Sequence, residues 1–155
     1  MQARKIMIQG ALSLLFVLFL CQQIVFPGEL TPGEKRRIEA GAIDTFETII
    51  SLWKREKFDE LYEYGDRMSR EMMSKEKFVS EMKVERCVLA SSWETVRDIE
   101  AKMISPNRVH LKVKMGFRGA PRGISETRFF TQAFEMRSEE GEWRIELRKV
   151  LYCPY

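Results

Sequence analysis

Residues 109–117 read VHLKVKMGF, and this stretch decides the class of fold. Apolar side chains alternate there with polar side chains or glycine. The apolar positions are Val109, Leu111, Val113, Met115 and Phe117, and the positions between them are His110, Lys112, Lys114 and Gly116. A period of two is typical of a β-strand with one buried face and one wet face. The stretch therefore predicts a strand in a sheet that is open to solvent on one side.

Three further strands are predicted around this one. The first lies at about residues 93–104 and is followed by a turn at 105–108, which contains proline and asparagine. Another lies at 125–137, after a glycine-rich loop at 119–123. The last begins at Trp143, after a turn at 138–142. Because its alternation slips at Arg148 and Lys149, we expect a bulge there before the strand continues to Tyr152.

A long helix is predicted before the strands, at Pro32–Lys54. Thr31 is suited to the N-cap, Pro32 to the first helical position, and Glu34 to a capping box with Thr31. Apolar residues then recur every three or four positions, at Ile38, Ala42, Phe46, Ile49 and Trp53. This spacing indicates one apolar face of a helix.

Two shorter helices are predicted between the long helix and the strands. One covers residues 58–64 and ends at Gly65, and the other covers residues 75–83 and is capped by Ser74. Helices followed by strands are typical of the α+β class. We therefore expect three helices packed on a curved four-stranded antiparallel sheet. The apolar strand positions should meet Phe46, Ile49 and Trp53.

The N-terminal segment predicts membrane targeting. Residues 6–26 are almost uncharged and apolar, and as a helix they would measure roughly 31 Å, enough to cross a hydrocarbon core. Arg4 and Lys5 precede them and belong on the cytoplasmic side. We therefore expect a single-pass anchor in the cytoplasmic (inner) membrane, with the N-terminus inside and the domain in the periplasm or another extracytoplasmic space. A cleaved signal peptide and a lipoprotein signal at Cys21 are alternatives.

The chain thus divides into three parts: an anchor or signal segment at residues 1–26, a linker at 27–33 and one domain at 34–155. With 45% hydrophobic and 32% charged residues, the domain should be globular rather than disordered. Arg4 and Lys5 supply two of the three net positive charges. The domain itself is therefore nearly neutral, which argues against a nucleic-acid-binding protein.

The layout of three stretches carries a resemblance to a known superfamily. They are the helix Pro32–Lys54 followed by WKREKFDELY at residues 53–62, MSKEKF at residues 73–78, and the strand block at residues 109–151. This layout resembles that of NTF2-like (cystatin-like cone) domains over about residues 31–152. The resemblance implies a cone with an apolar interior between helix and sheet. Some members are enzymes, such as ketosteroid isomerase and scytalone dehydratase, and many are binding or assembly modules.

Several bacterial members of this superfamily, including the VirB8-type secretion-channel components, are anchored in the membrane by a single N-terminal helix. The chain resembles these proteins in arrangement only. A layout of this kind implies a fold more strongly than it implies a function.

Candidate catalytic residues are few. His110 is the only histidine of the chain, and it lies on the polar face of its predicted strand, so we interpret it as solvated. An enzyme built on such a cone needs an inward carboxylate with a tuned pKa, and the acids of interest are Asp98 and Glu126. No second polar group stands at a matching spacing. The sequence therefore assigns no catalytic residue.

A ligand pocket is the other candidate site. Six aromatic residues are candidates for lining it: Trp53, Tyr62, Tyr64, Phe117, Phe130 and Trp143. Aromatic residues at helical or strand spacing also fit an ordinary hydrophobic core.

Cysteine and methionine usage predicts no metal or cofactor. Cys87 and Cys153 are candidates for a disulfide in an oxidising compartment, or are two separate buried thiols. The chain has no Cys-x-x-Cys pair and a single histidine, which argues against a zinc or thiol-redox site. Met68, Met72 and Met73 are interpreted as core residues or as an adaptable contact surface.

These features favour a membrane-tethered, non-catalytic accessory or assembly subunit that presents its domain to a membrane protein complex. The expected partners are such a complex or further copies of the chain, and the lipid bilayer through residues 6–26. No nucleic-acid partner is expected. The alternative is an extracytoplasmic small-ligand binder, or a lyase or isomerase, that uses the cone interior.

Overall fold

The computed structural model describes residues 29–84, 89–90, 95–118 and 127–151. From Pro32 onward they belong to one compact unit. The described helices are α1 (Pro32–Lys54), α2 (Phe58–Tyr62), α3 (Arg67–Met72), α4 (Lys75–Val84) and α5 (Leu147–Leu151). The described strands are β1 (Val96–Ser105), β2 (Arg108–Arg118), β3 (Thr127–Glu139) and β4 (Glu142–Ile145). This α+β arrangement of helices and one four-stranded antiparallel sheet was predicted from the sequence.

The predicted membrane segment, at residues 1–26, lies outside the described residues. In the part of the chain that the structure describes, no helix combines the length and the apolar character needed to cross a bilayer.

Helix α1 occupies the predicted range, and its buried stripe matches the predicted one closely. Its buried residues are Ala42, Phe46, Ile49, Ile50 and Trp53, and Ile38 is partly buried. After Lys54 the chain turns through Glu56, whose φ of 55° lies in the left-handed region. A residue in this conformation cannot continue the helix, and the chain leaves toward α2.

Side chains cap two of the short helices. The Oδ1 atom of Asp66 accepts a hydrogen bond from the N–H of Ser69, 2.8 Å away, at the start of α3. The hydroxyl of Ser74 accepts from the N–H of Lys77, 3.3 Å away, at the start of α4, as predicted. Helix α3 itself was not predicted. Its six residues bury only Ser69, so it carries no apolar periodicity to detect.

The strands form one antiparallel sheet in the order β1-β2-β3-β4. Strands β3 and β4 are joined through Glu140 and Gly141, with φ angles of 54° and 86°. Two successive positive φ angles are those of a type I′ hairpin turn, which suits the twist of paired strands. In the register of the sheet, Leu111 of β2 lies opposite Ala101 of β1 and Phe134 of β3. These residues lie on the inner face.

The inner face of the sheet packs against α1. The ring centroids of Phe46 and Phe134 are 4.9 Å apart. All five apolar residues at alternate positions of β2 are buried in the same cluster as Ile49 and Trp53. Burying a large apolar side chain contributes about 1.5–3 kcal/mol. The predicted meeting of the strands with the long helix is confirmed.

The prediction for the last strand is wrong beyond Ile145. Strand β4 ends at Ile145, and α5 begins at Leu147. Leu147, Val150 and Leu151 are buried, and their spacing of three and four residues is that of a helix face. The slip in alternation at Arg148 and Lys149 therefore marks a change from strand to helix and not a bulge. The number of helices in the described part of the chain is accordingly larger than the predicted three.

Gly65 has a different role from the predicted helix cap. Helix α2 already ends at Tyr62, and Gly65 forms a parallel bridge with Ile145 of β4. A Cβ atom at position 65 would lie 2.6 Å from Cδ1 of Leu147. The glycine therefore permits the close approach of residues 64–66 to the end of β4.

Candidate functional site

Three of the six aromatic pocket candidates lie together in the core beside α1. Trp53 and Phe117 are buried, and Phe130 is partly buried. The centroid of Phe117 is 6.4 Å from that of Trp53 and 6.1 Å from that of Phe130. These are distances of ordinary aromatic packing. The three rings therefore pack on one another between α1 and the sheet, as ordinary core residues do.

Tyr62 is a fourth core residue. Its ring centroid lies 5.8 Å from that of Phe78, and its hydroxyl donates to the main-chain oxygen of Met73, 2.7 Å away. The hydroxyl is thus satisfied by the connection between α3 and α4. Tyr62 therefore holds the short helices together.

Tyr64 and Trp143 lie elsewhere, at an open cleft of about 420 Å³ that we call the Trp143 cleft. It is lined by Thr45, Glu63, Tyr64, Arg70, Glu142, Trp143 and Arg144. Pockets for small ligands have volumes of about 300–1,000 Å³. The cleft therefore has the size of a small-molecule site, and it contains two of the six predicted residues.

Main-chain hydrogen bonds assemble the Trp143 cleft. The N–H of Ile145 donates to the oxygen of Tyr64, 2.9 Å away, and the N–H of Asp66 donates to the oxygen of Ile145, 2.8 Å away. Residues 64–66 thus extend the sheet beyond β4. This pairing places Glu63 and Tyr64 next to Trp143 and Arg144.

Both signs of charge meet in the cleft. Arg144 donates from Nη1 to the main-chain oxygen of Glu63, 2.5 Å away, and forms an ion pair with Glu142. Glu63 forms an ion pair with Lys75, and the hydrogen bond from Lys75 lowers the pKa of the Glu63 carboxyl below its usual value. Each lining carboxylate therefore already has a cationic partner.

A second concavity, of about 390 Å³, is lined by other residues of α3. We call it the methionine groove. It is lined by Asp66, Met68, Ser69, Met72, Met73, Lys77, Glu81, Arg137, Glu146, Leu147 and Arg148. Met68 and Met72 are 62% and 64% exposed, whereas Met73 packs partly buried against the core. Of the two interpretations of these methionines, the contact surface fits Met68 and Met72, and the core fits Met73.

A polar network holds the base of the methionine groove. Asp66 caps α3, and the hydroxyl of Ser69 accepts a hydrogen bond from the N–H of Leu147, 3.1 Å away. The carboxylate of Glu139 accepts from the N–H of Arg67, with its two oxygens at 3.0 and 3.2 Å. These bonds join α3 to β3 and α5, so the exposed methionines sit on a fixed support.

A separate cluster on the outer face of the sheet surrounds Glu135. Its carboxylate accepts from Arg108 at 2.8 Å, from Arg137 at 2.6 Å and pairs with His110 at 2.9 Å. The hydrogen bond from Arg108 and those from Arg137 and His110 lower the pKa of Glu135 to about 2. His110 is half exposed on the polar face, as predicted.

The other residues considered from the sequence form no reactive group. Asp98 is exposed and lies opposite Lys114 in the sheet, so it does not point into the interior. Glu126, Cys87 and Cys153 lie outside the described residues. Within the described residues, no cluster of histidine, cysteine and acidic side chains is suited to hold a metal ion.

Sequence reasoning missed Glu63, Arg70 and Arg144 of the Trp143 cleft. They are far apart in the chain, and they meet because residues 64–66 pair with β4. No spacing in the sequence signals that pairing. The one available hint is Gly65 itself, a glycine between two short helical segments where the chain must pass close to another element.

No protein-family model matches the chain, and no curated protein matches it significantly.

Proposed function

We propose that this protein is a membrane-tethered, non-catalytic accessory or assembly subunit. Residues 6–26 anchor it in the cytoplasmic membrane with the N-terminus inside. Its domain, an NTF2-like cone, faces the extracytoplasmic space and is presented to a membrane protein complex. The apolar run behind Arg4 and Lys5 supports the anchoring.

The order of the elements supports the cone assignment. A long helix, α1, precedes shorter helices and an antiparallel meander of four strands, and the inner face of the meander packs on α1. The superfamily that the sequence resembles shares this layout. A cone whose interior holds packed aromatic rings suits a binding or assembly module.

The observation that carries the proposal is the exposed methionine pair. Met68 and Met72 stand one turn apart on α3, and both are more than half exposed. Methionine is flexible and polarisable, and adaptable protein contact surfaces use it often. Two exposed methionines above the apolar side chain of Leu147 therefore suit the insertion of a partner helix.

Charges around the groove favour an amphipathic protein helix as the occupant. The rim carries the cations Lys77, Arg137 and Arg148 and the anions Glu81 and Glu146, whereas Asp66 is buried at the base. A nucleic acid or an anionic bilayer would meet repulsive as well as attractive groups on this rim. A helix with charges of both signs beside an apolar stripe matches such a mixed rim.

The alternative, a lyase, isomerase or ligand binder that uses the cone interior, loses support. It requires an inward acid, and of the two candidate acids Asp98 is exposed on the outer side of the sheet, whereas Glu126 lies outside the described residues. It also requires interior space, and in the described part of the interior Trp53, Phe117 and Phe130 pack on one another.

The test is affinity purification of the full-length chain from solubilised membranes, combined with intact-mass analysis. We compare the wild type with a Met68→Glu/Met72→Glu variant and with Ile104→Glu, which changes an exposed apolar residue of β1 that does not line the groove. We expect residues 1–26 to be retained, and one identified membrane subunit to copurify with the wild type and Ile104→Glu alone. Loss of residues 1–26, or equal copurification with all three proteins, would contradict the proposal.

A further inference from the structure

We infer that the Trp143 cleft binds a small oxyanion carried on a planar apolar body, such as an aromatic carboxylate. The oxyanion is held by Arg70, and the planar body packs on Trp143. This site does not depend on the proposed partner contact, because the cleft and the methionine groove are lined by different residues of α3.

Arg70 is the lining cation of the cleft that has no close ion pair of its own among the described residues, although its charge also acts on the Glu63 carboxyl. Glu63 pairs with Lys75, and Glu142 pairs with Arg144. Arg70 forms no salt bridge with any residue that the structure describes, although it lies only partly exposed in the cleft wall. A guanidinium in such a wall is suited to a carboxylate or another oxyanion.

Two buried hydrogen-bond donors without acceptors also favour an oxyanion as the ligand. The Nε atoms of Arg70 and Arg144 are both buried, and neither has a hydrogen-bond partner among the described residues. A buried donor without an acceptor destabilises the fold. A bound oxyanion brings several acceptors at once, and a small rotation of the Arg70 side chain then satisfies its donors.

The aromatic side chains of the cleft indicate that the oxyanion is attached to a flat apolar group. Trp143 is partly buried, with its Nε1 edge against Gly41 of α1, where a Cβ atom would come within 3.1 Å. The ring is therefore held in place, and Tyr64 lies beside it at the same cleft. Aromatic pairs in offset or edge-to-face contact stabilise each other beyond the effect of their buried area. A flat ligand gains this contact, and a bare inorganic ion does not.

The experiment is an NMR titration of the full-length chain in detergent micelles, following the indole N–H of Trp143 and the Nε–H of Arg70. Phenylacetate is the probe, phenethylamine supplies a cation on a similar ring, and inorganic phosphate supplies an oxyanion without a ring. Arg70→Gln is compared with Arg67→Gln, which removes an exposed arginine from the same helix.

We expect phenylacetate to shift both signals, and to bind about tenfold or more weakly to Arg70→Gln, as the loss of a charge-assisted hydrogen bond requires. Arg67→Gln should bind like the wild type, and phenethylamine should not compete. Equal affinity of the wild type and Arg70→Gln would overturn the inference, and so would phosphate binding as tightly as phenylacetate. If Arg70→Gln does not fold, Arg70→Lys takes its place, because it keeps the charge and removes the planar fork.

Discussion

The hydroxyl oxygen of Ser69 accepts a hydrogen bond from the main-chain N–H of Leu147, 3.1 Å away, at the base of the methionine groove. Ser69 lies on α3 between the two exposed methionines, and Leu147 is the first residue of α5. This bond links two helices that are distant in the chain. The position of Met68 and Met72 therefore depends on it.

Replacing Ser69 by alanine should destabilise the protein by about 1–3 kcal/mol, because the buried N–H of Leu147 loses its acceptor. Chemical denaturation of the full-length chain measures the change. Ser80→Ala is the matched control, since Ser80 is exposed on α4 and its loss should stay within about 0.5 kcal/mol of the wild type. A Ser69→Ala protein as stable as Ser80→Ala would show that the bond contributes nothing.

Gly65→Ala should also destabilise the domain, because the new methyl group would lie 2.6 Å from Cδ1 of Leu147 and 3.0 Å from the main-chain oxygen of Tyr62. Overpacking of this kind costs about 1–3 kcal/mol. A double-mutant cycle with Leu147→Ala checks the cause. In that cycle Gly65→Ala should lower the free energy of unfolding clearly less when Leu147 is already alanine. If the effects of the two substitutions simply added, the steric explanation would be ruled out.

The sequence predicted the parts of the fold in which a residue pattern repeats. Helix α1 and strand β2 carry such patterns over many residues, and both lie where they were expected. Helix α3 buries only Ser69, and α5 has just Leu147, Val150 and Leu151, so neither is long enough to establish a period.

The candidate site was less predictable than the fold for a related reason. Tyr64 and Trp143 were expected at a pocket, but as part of the interior. The Trp143 cleft arises from the pairing of residues 64–66 with Ile145. Contacts between distant segments of this kind depend on packing that no local pattern encodes. Aromatic identity alone also did not separate core rings, such as Trp53, from cleft rings, such as Trp143.

Stability should depend on pH through Glu135. The pKa of Glu135 is depressed from 4.5 to about 2 in the folded protein, so its ion pairs stabilise the fold fully above about pH 4.5 and are lost as the pH falls toward 2. The side chain is 22% exposed, and solvent screening limits the contribution to about 1–2 kcal/mol.

Glu135→Gln should therefore lower stability at pH 7 and flatten the pH profile between about pH 4.5 and 2. Thermal unfolding across this range provides the measurement. Glu100→Gln is the control, because the Glu100–Lys112 pair is largely exposed on the same face of the sheet. If Glu135→Gln lost stability between about pH 4.5 and 2 as steeply as the wild type, other groups would control the acid destabilisation.

Phe117 should behave as a core residue and not as a ligand contact. It packs between Trp53 and Phe130, so Phe117→Ala should cost about 3–5 kcal/mol of unfolding free energy. The control is Ile104→Ala, at an exposed position of β1, which should change the unfolding free energy little. A Phe117→Ala protein of wild-type stability would reopen the case for an interior pocket.

Photo-crosslinking from the methionine groove tests the central claim most directly. A photoreactive phenylalanine analogue is placed at Met72 or, as control, at Ile104 in the full-length chain, and intact membranes are irradiated. We expect one adduct with a membrane-complex subunit, identified by mass spectrometry, at position 72 alone, and we expect Met68→Glu to abolish it. No adduct at position 72, or the same adducts at positions 72 and 104, would contradict the account.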